Sequence, residues 1–437
     1  MLCCAVCLAG SGRAAERPGW LVVGPWDGKI EGGIGGPEST LGAVVTKLRI
    51  TIDLDQPPPF AGGGPIPAID FPPIVKSVRM EGGELVLKRG GQTQTLSWRG
   101  EFSQASPGFW EGTLAATGAG TEVTATINYR AMERTWRVPA LALRLDLAAW
   151  SALVLPAFLP KNMEWTCGGT ARLEGALAWT PGGLDGAMAL TLQDGRASST
   201  DGGISVEGIE GVFKLVSLAS LASAPDQRFT ARAFTAGKVR LTNLVAATTL
   251  HAADRMTARI DGEGLGGRLA VEPFEFNPTE IRYTLNVRLD DIDAQPILAM
   301  FPTVPQGTGK LVGQVPVSWM NGLLGLGAGR LVLKEGSTGR VRFHNPGLLT
   351  QWWHWFIPGR KLAGRIESGT EELVISDLSI ILHPPGAPAE RAAVIHLKGV
   401  PADHPEQGPY TFDFNVNAPL ENFINLGMKQ DMIFDFK

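Results

Sequence analysis

Few residue groups in this chain have the types and spacing that chemistry demands. Gly262, Gly264 and Gly267 satisfy GxGxxG, the loop that brings backbone close to a pyrophosphate at the start of a helix. The residues that follow, Arg268 to Phe276, read as a strand containing a proline, so nucleotide binding is not expected. There is no GxSxG, HExxH or Walker loop, and no pair of cysteines at metal-ligand spacing. Of the six histidines, His344 and His354 flank the start of the tryptophan run, and neither has a carboxylate four residues away. Asp290, Asp291 and Asp293 precede a helix-like stretch. A calcium loop would need a tight glycine turn among oxygen ligands, and none follows, so these acids are expected to cap free backbone N–H groups. Trp352, Trp353, Trp355 and Phe356 form the one local anomaly, either a helix packed on a sheet or an apolar plug that touches a membrane interface. No catalytic residue, metal ligand or cofactor is assigned, and an enzyme is not expected.

Composition narrows the class further. Gly (55) and Pro (31) together make roughly a fifth of 437 residues, so turns are many, while 44% apolar content argues against disorder. A net charge of -4 offers no basic field for nucleic acid. Cys3, Cys4 and Cys7 lie in an apolar run that ends in small residues, with Gly12 and Ala14 placed as a cleavage site. Residues 1–15 are read as the tail of a secretory signal peptide that lacks the usual positive start. Cys167 would then be the one cysteine left, which suits an exported protein.

The elements that would position any site are strands. Val123, Ala125, Ile127 and Tyr129 alternate with polar neighbours, as do Val315 and Val317, and later Phe412 and Phe414. This period of two marks half-buried strands sharing an apolar face. The glycine-rich stretch 24–37 and the stretch 56–73, with seven prolines, are read as irregular. Asn345 and Pro346 open a helix-like run with Leu348, Leu349, Trp352, Trp353 and Phe356 on one side, ending at Pro358 and Gly359. Pro419 opens another, with Leu420, Phe423 and Ile424, ending at Gly427. Both read as end-plugs on a sheet. The last residues, Met432, Ile433, Phe434, Asp435 and Phe436, read as an open edge strand.

One arrangement occurs twice. Leu141, Leu143 and Leu145 lead into Asp146, a helix-like stretch around Trp150, Leu153 and Phe158, and the run Gly169 to Gly175 ending at Trp179. Tyr283, Leu285, Val287 and Leu289 lead into Asp290, a stretch with Ile297, Met300 and Phe301, and the run Gly307 to Gly313 ending at Trp319. Repeats of this size stack to bury what a single copy cannot. The domain reading is an N-terminal β region at 16–140, a first repeat at 141–280, and a second repeat with the C-terminal edge at 281–437.

The run Leu311 to Gly322 (LVGQVPVSWMNG), with Gly329 to Leu331, Gly339 to Phe343 and the ending Phe412 to Asn422, resembles the YdbH-like family. These are members of the AsmA-like group that carry phospholipid between the two membranes of Gram-negative bacteria. The likeness covers about Leu141 to the C-terminus and extends loosely to Phe71 through Met80. It implies a mainly β protein: a long, curled antiparallel sheet, or β-groove, of repeated units with a few short helices. It also implies an apolar concave face, and a C-terminal edge strand that pairs with a small outer-membrane lipoprotein. Family members carry an N-terminal membrane anchor and are longer.

On this reading the protein is a periplasmic groove of the cell envelope that shields phospholipid acyl chains between the inner and outer membranes. Tyr283, Leu285, Val287, Leu289, Val315, Val317, Phe412 and Phe414 would be among its lining residues. The alternative is a structural or adhesive β-scaffold whose apolar faces close on each other without cargo. Sequence alone does not separate a filled core from a lined groove.

Overall fold

A computed structural model describes residues 21–24, 27–31, 41–55, 75–154, 165–199, 203–237, 239–278, 282–299, 306–320, 323–344, 347, 350, 359–383 and 393–416. The protein is mainly β: 26 strands, mostly antiparallel, and three short α-helices occur among these residues. The chain divides into two compact units, the first Met1–Ala197 with Gly208–Phe229 and Thr249–Arg255, the second Ser198–Glu207 with Thr230–Thr248 and Met256–Lys437.

In the first unit, strands Val75–Arg89, Gln92–Ser106, Phe109–Gly118, Thr121–Arg130, Thr135–Asp146 and Trp165–Thr180 each pair antiparallel with the next. Alternation decides which side chains go inside. Trp98, Phe102, Trp110, Leu114, Ile127, Tyr129 and Trp136 are all 8% exposed or less, while Glu101, Glu111, Glu122 and Arg130 between them face water. Each such side chain stabilises the unit by about 1.5–3 kcal/mol relative to leaving it exposed.

Two short strands, Leu41–Thr46 and Arg49–Asp53, lie end to end along Val75–Arg89 and pair with it in parallel. Asp27–Glu31 pairs with the first of them. This corrects the expectation that 24–37 is irregular throughout: Gly28 is the one glycine in this five-residue strand, opposite Val45, and the cross-strand ladder outweighs its cost. The proline-rich stretch 56–73 lies outside the described residues.

Helix Leu147–Val154 closes one end of the first unit's core. Trp150 and Leu153 are 7% and 1% exposed. Asp146 Oδ1 accepts the Ala148 N–H at 2.9 Å, Trp150 Nε1 donates to Thr121 Oγ1, and Arg89 Nη1 donates to the Leu153 carbonyl at 2.9 Å. Both helix ends are therefore satisfied by neighbours instead of by length.

The second unit repeats this plan. Gly267–Phe276, Arg282–Asp293 and Lys310–Met320 are successive antiparallel neighbours, and helix Ala294–Leu298 follows Asp293 as Leu147–Val154 follows Asp146. In both copies a two-residue turn with positive φ, Ala119 and Gly120 or Leu265 and Gly266, lies beside the acid. The Asp146 N–H donates to Gly120 O at 3.0 Å, and the Asp293 N–H to Leu265 O at 2.8 Å. The copies therefore correspond through Asp146 and Asp293. Asp290, which the repeat reading placed opposite Asp146, lies in a bulge: the register shifts between Leu289 and Ile292, and Asp291 has φ 59°.

The second core gathers Ile292, Leu298, Leu311, Val341, Phe343, Leu373, Leu378, Ile380, Ile395 and Leu397, all 1% exposed or less. Helix Arg360–Glu367 adds Leu362 and Ile366 to it. That helix begins where the sequence reading stopped one, at Gly359.

Candidate functional site

The strand Arg282–Asp293 supplies the best-defined face. Tyr283, Leu285 and Val287 are half-buried, Leu289 is 8% exposed, and Thr284, Asn286 and Arg288 between them are exposed. Register carries the apolar side onto both neighbours. Leu285, Val287 and Leu289 lie opposite Val317, Val315 and Gly313, and Val287 and Leu289 also lie opposite Val271 and Leu269. A bulge displaces the pairing between Ala258 and Ile260, so Phe274 and Phe276 return to the side of Val271.

Coverage along this face is graded. At the helix end Ile292, Ala294, Leu298 and Leu311 are 1% exposed or less, and Val315, at 7%, belongs to the same cluster. Val287 and Val317 are half-buried against that cluster, whereas Tyr283 and Leu285 are half-buried outside it. Aromatic rings mark this open end: Phe274 and Phe276 stack at 5.3 Å between centroids, and Phe276 meets Tyr283 edge-on at 6.0 Å. Burial without a charged partner pushes the Tyr283 phenol pKa up.

Phe412 and Phe414 lie opposite Leu397 and Ile395 and pack on Phe343, with centroids at 5.4 and 6.0 Å. Both are half-buried against the second core. Trp352, Trp353, Trp355 and Phe356, the edge segment Met432 to Phe436, the Pro419 stretch and residues 1–15 lie outside the described residues. So do Phe158, Met300, Phe301 and His354.

The acids before helix Ala294–Leu298 do not cap it with their side chains. Asp293 stands at the cap position with no side-chain hydrogen bond to the helix, and its carboxylate instead lies 2.7 Å from Lys310 Nζ. Lys310 also donates to Gly266 O and Asp291 O, at 2.9 and 3.1 Å. Asp291 takes Lys334 at 2.8 Å, which holds its pKa below the ordinary carboxylate value. With two lysines in reach, the acids pair with them. In the GxGxxG match, Gly264 and Gly267 face each other across the turn of a β-hairpin, so no helix N-terminus is presented.

The first unit carries a feature that sequence reasoning missed, an open hollow of about 1080 Å³ running across its strands. Arg79, Glu101, Thr113, Thr126 and Ala140 line it as successive cross-strand partners. They alternate with the buried Met80 and Leu114, so they belong to the face opposite the core. Small threonines and alanines beside Arg79 and Glu101, which pair at 3.7 Å, leave the space; no local motif encodes such a row. Toward the end of this unit, Phe213 and Phe229 stack at 6.1 Å, half-buried and outside its core.

Among the described residues no helix is long and apolar enough to cross a membrane. No group of three or more His, Cys, Asp or Glu side chains there could hold a metal ion. Neither the curated proteins nor the solved structures contain a match to the chain. A family model described as YdbH-like, intermembrane phospholipid transport protein YdbH, matches residues 86–348, about three-fifths of the chain. It takes in the signatures at Leu311 to Gly322, Gly329 to Leu331 and Gly339 to Phe343, and starts well before Leu141. Phe71 to Met80 and the ending Phe412 to Asn422 fall outside it. On the length of that match and the paired β modules beneath it, the chain belongs to the YdbH-like family.

Proposed function

We propose that the chain is a periplasmic β-groove protein that holds phospholipid acyl chains against its apolar face while they pass between the inner and outer membranes. One observation carries this reading: from Val287 through Leu285 to Tyr283, and across to Val271 and Val317, a continuous apolar surface stays half-covered beside a sealed core. Such a surface gains about 0.8 kcal/mol for each acyl CH₂ it removes from water. The family's description as intermembrane phospholipid transport supplies the cargo class.

Tyr283, Leu285, Val287 and Val317 line the groove, Leu289 and Val315 form its floor where it meets the core, and Phe412 and Phe414 extend the lining along the last described strand. Guidance of this kind needs no reacting group, so the proposal assigns no catalytic residue. The charged headgroup stays in water, which keeps the cost of desolvating phosphate out of the balance. At the C-terminus, the Met432 to Phe436 segment is the proposed contact for a small outer-membrane lipoprotein.

The test is direct. Protein purified without detergent is extracted with organic solvent, and the extract is examined for phospholipid by mass spectrometry. Near-stoichiometric phospholipid is expected. An extract empty of lipid overturns the reading in favour of a closed envelope scaffold.

A further inference from the structure

The apolar face of the second unit has a direction. Its helix end is shut by Ile292, Ala294, Leu298 and Leu311, all 1% exposed or less, and its other end is a half-buried aromatic group of Phe274, Phe276 and Tyr283. Among Met256, Phe276, Phe274, Val271, Leu285, Val287 and Leu289, all hydrocarbon or thioether, Tyr283 brings a hydroxyl to this face, with Trp319 directly opposite it on the next strand. It sits next to the strand's start, beside the loop that carries Asn277 and Pro278. An aromatic rim with a phenol at its edge is the side-chain chemistry that favours the boundary between hydrocarbon and water.

A diacyl phospholipid has its own boundary of that kind. Its two ester carbonyls are acceptors placed where tail gives way to headgroup. We infer that the Tyr283 hydroxyl donates a hydrogen bond to a lipid ester carbonyl, fixing the cargo with its tails toward Leu289 and its headgroup outward past the aromatic rim. This rests on the lipid-groove reading above and goes beyond it by assigning an ester-recognition position and a sense of orientation. The phenol's pKa is raised by burial, so it keeps its proton at neutral pH and remains a donor. A bound lipid that covers this half-buried donor displaces its water, and an ester carbonyl replaces that partner better than an ether oxygen, which makes the position selective for lipids that possess a carbonyl.

The experiment compares a diacyl phosphatidylethanolamine with its dialkyl ether analogue, which has the same headgroup and tails and no carbonyl. The full chain is loaded from an equimolar mixture and the retained lipids are quantified by mass spectrometry. The wild-type protein should retain the diester in roughly three- to tenfold preference, the worth of one ordinary hydrogen bond. Tyr283→Phe should abolish that preference, and Phe276→Leu, which changes the rim but keeps the donor, should preserve it. Circular dichroism confirms that the variants are folded. Equal retention of the two lipids by the wild type, or a preference that survives in Tyr283→Phe, overturns the assignment and leaves the groove reading standing. Retention of neither lipid removes the groove reading, and the Tyr283 assignment with it.

Discussion

Val287, Val315 and Val317 are neighbours on one face, and glutamate at each should give different outcomes. Val315 is 7% exposed within the second core, whereas Val287, directly opposite it, and Val317 are half-buried at its margin. Val315→Glu loses about 1.5–3 kcal/mol of apolar burial. It also forces a carboxyl group without a partner into the core, for about 3–5 kcal/mol more. The sum approaches the whole stability of an ordinary domain, so this variant should be largely unfolded. At Val287 and Val317 about half the burial is at stake and the longer side chain reaches water, so each variant should lose about 1–2 kcal/mol and stay folded. Loading is a different matter. A bound acyl chain would cover the new carboxylate, and a penalty of about 3 kcal/mol lowers retention on the order of a hundredfold. Urea unfolding gives the first quantity and mass spectrometry of retained phospholipid the second. The reasoning is refuted if Val287→Glu and Val317→Glu unfold together with Val315→Glu, which would make the face a sealed core, or if they stay folded and load lipid as the wild type does.

Two further expectations concern the scaffold. In Gly266→Ala the new methyl, at φ +76°, would stand 1.8 Å from Asp293 Oδ2 and push that carboxylate off Lys310, so about 2 kcal/mol should be lost in denaturant unfolding. Gly91→Ala, at φ +81° in open space, should lose only about 1 kcal/mol. Asp185 accepts hydrogen bonds from the Gly186 and Ala219 N–H groups and from Ser217, which lower its pKa below the ordinary carboxyl value. A depressed folded-state pKa means the stabilisation is complete above that ordinary value, near pH 4, and is lost as pH falls through the folded value. The protection factor of the Ala219 amide, its exchange rate corrected for the intrinsic pH dependence, should therefore fall on acidification below about pH 4, and Asp185→Asn should remove that dependence.

The sequence carried the strand pattern well because period-two alternation is local and dense: the alternations at Val123 to Tyr129 and Tyr283 to Leu289 match their observed burial. It carried the repeat less well. The bulge at Asp290 and Asp291 adds residues without a compositional mark, so the acid that matches Asp146 was placed three positions early. Helix Arg360–Glu367 escaped notice because eight residues leave only Leu362, Ala363 and Ile366 to show its period. Parallel pairing of Leu41–Thr46 and Arg49–Asp53 with Val75–Arg89 has no local signal, since the strands are joined only through a long excursion. The graded covering of the apolar face was also invisible, because Val315 and Val317 are the same residue type two positions apart.

That parallel junction fixes an order of assembly. From Val75 to Thr180 every strand finds its partner in the one just before it, so each hairpin can close as soon as it is made and the growing edge always offers the next docking place. The segments 41–46 and 49–53 are synthesised earlier, yet both need Val75–Arg89 as a template. These early segments have antiparallel partners of their own in Asp27–Glu31 and Leu21–Val23, but a chain cut short before residue 89 would leave the other edge of both exposed, without the strand that joins them to the rest of the sheet.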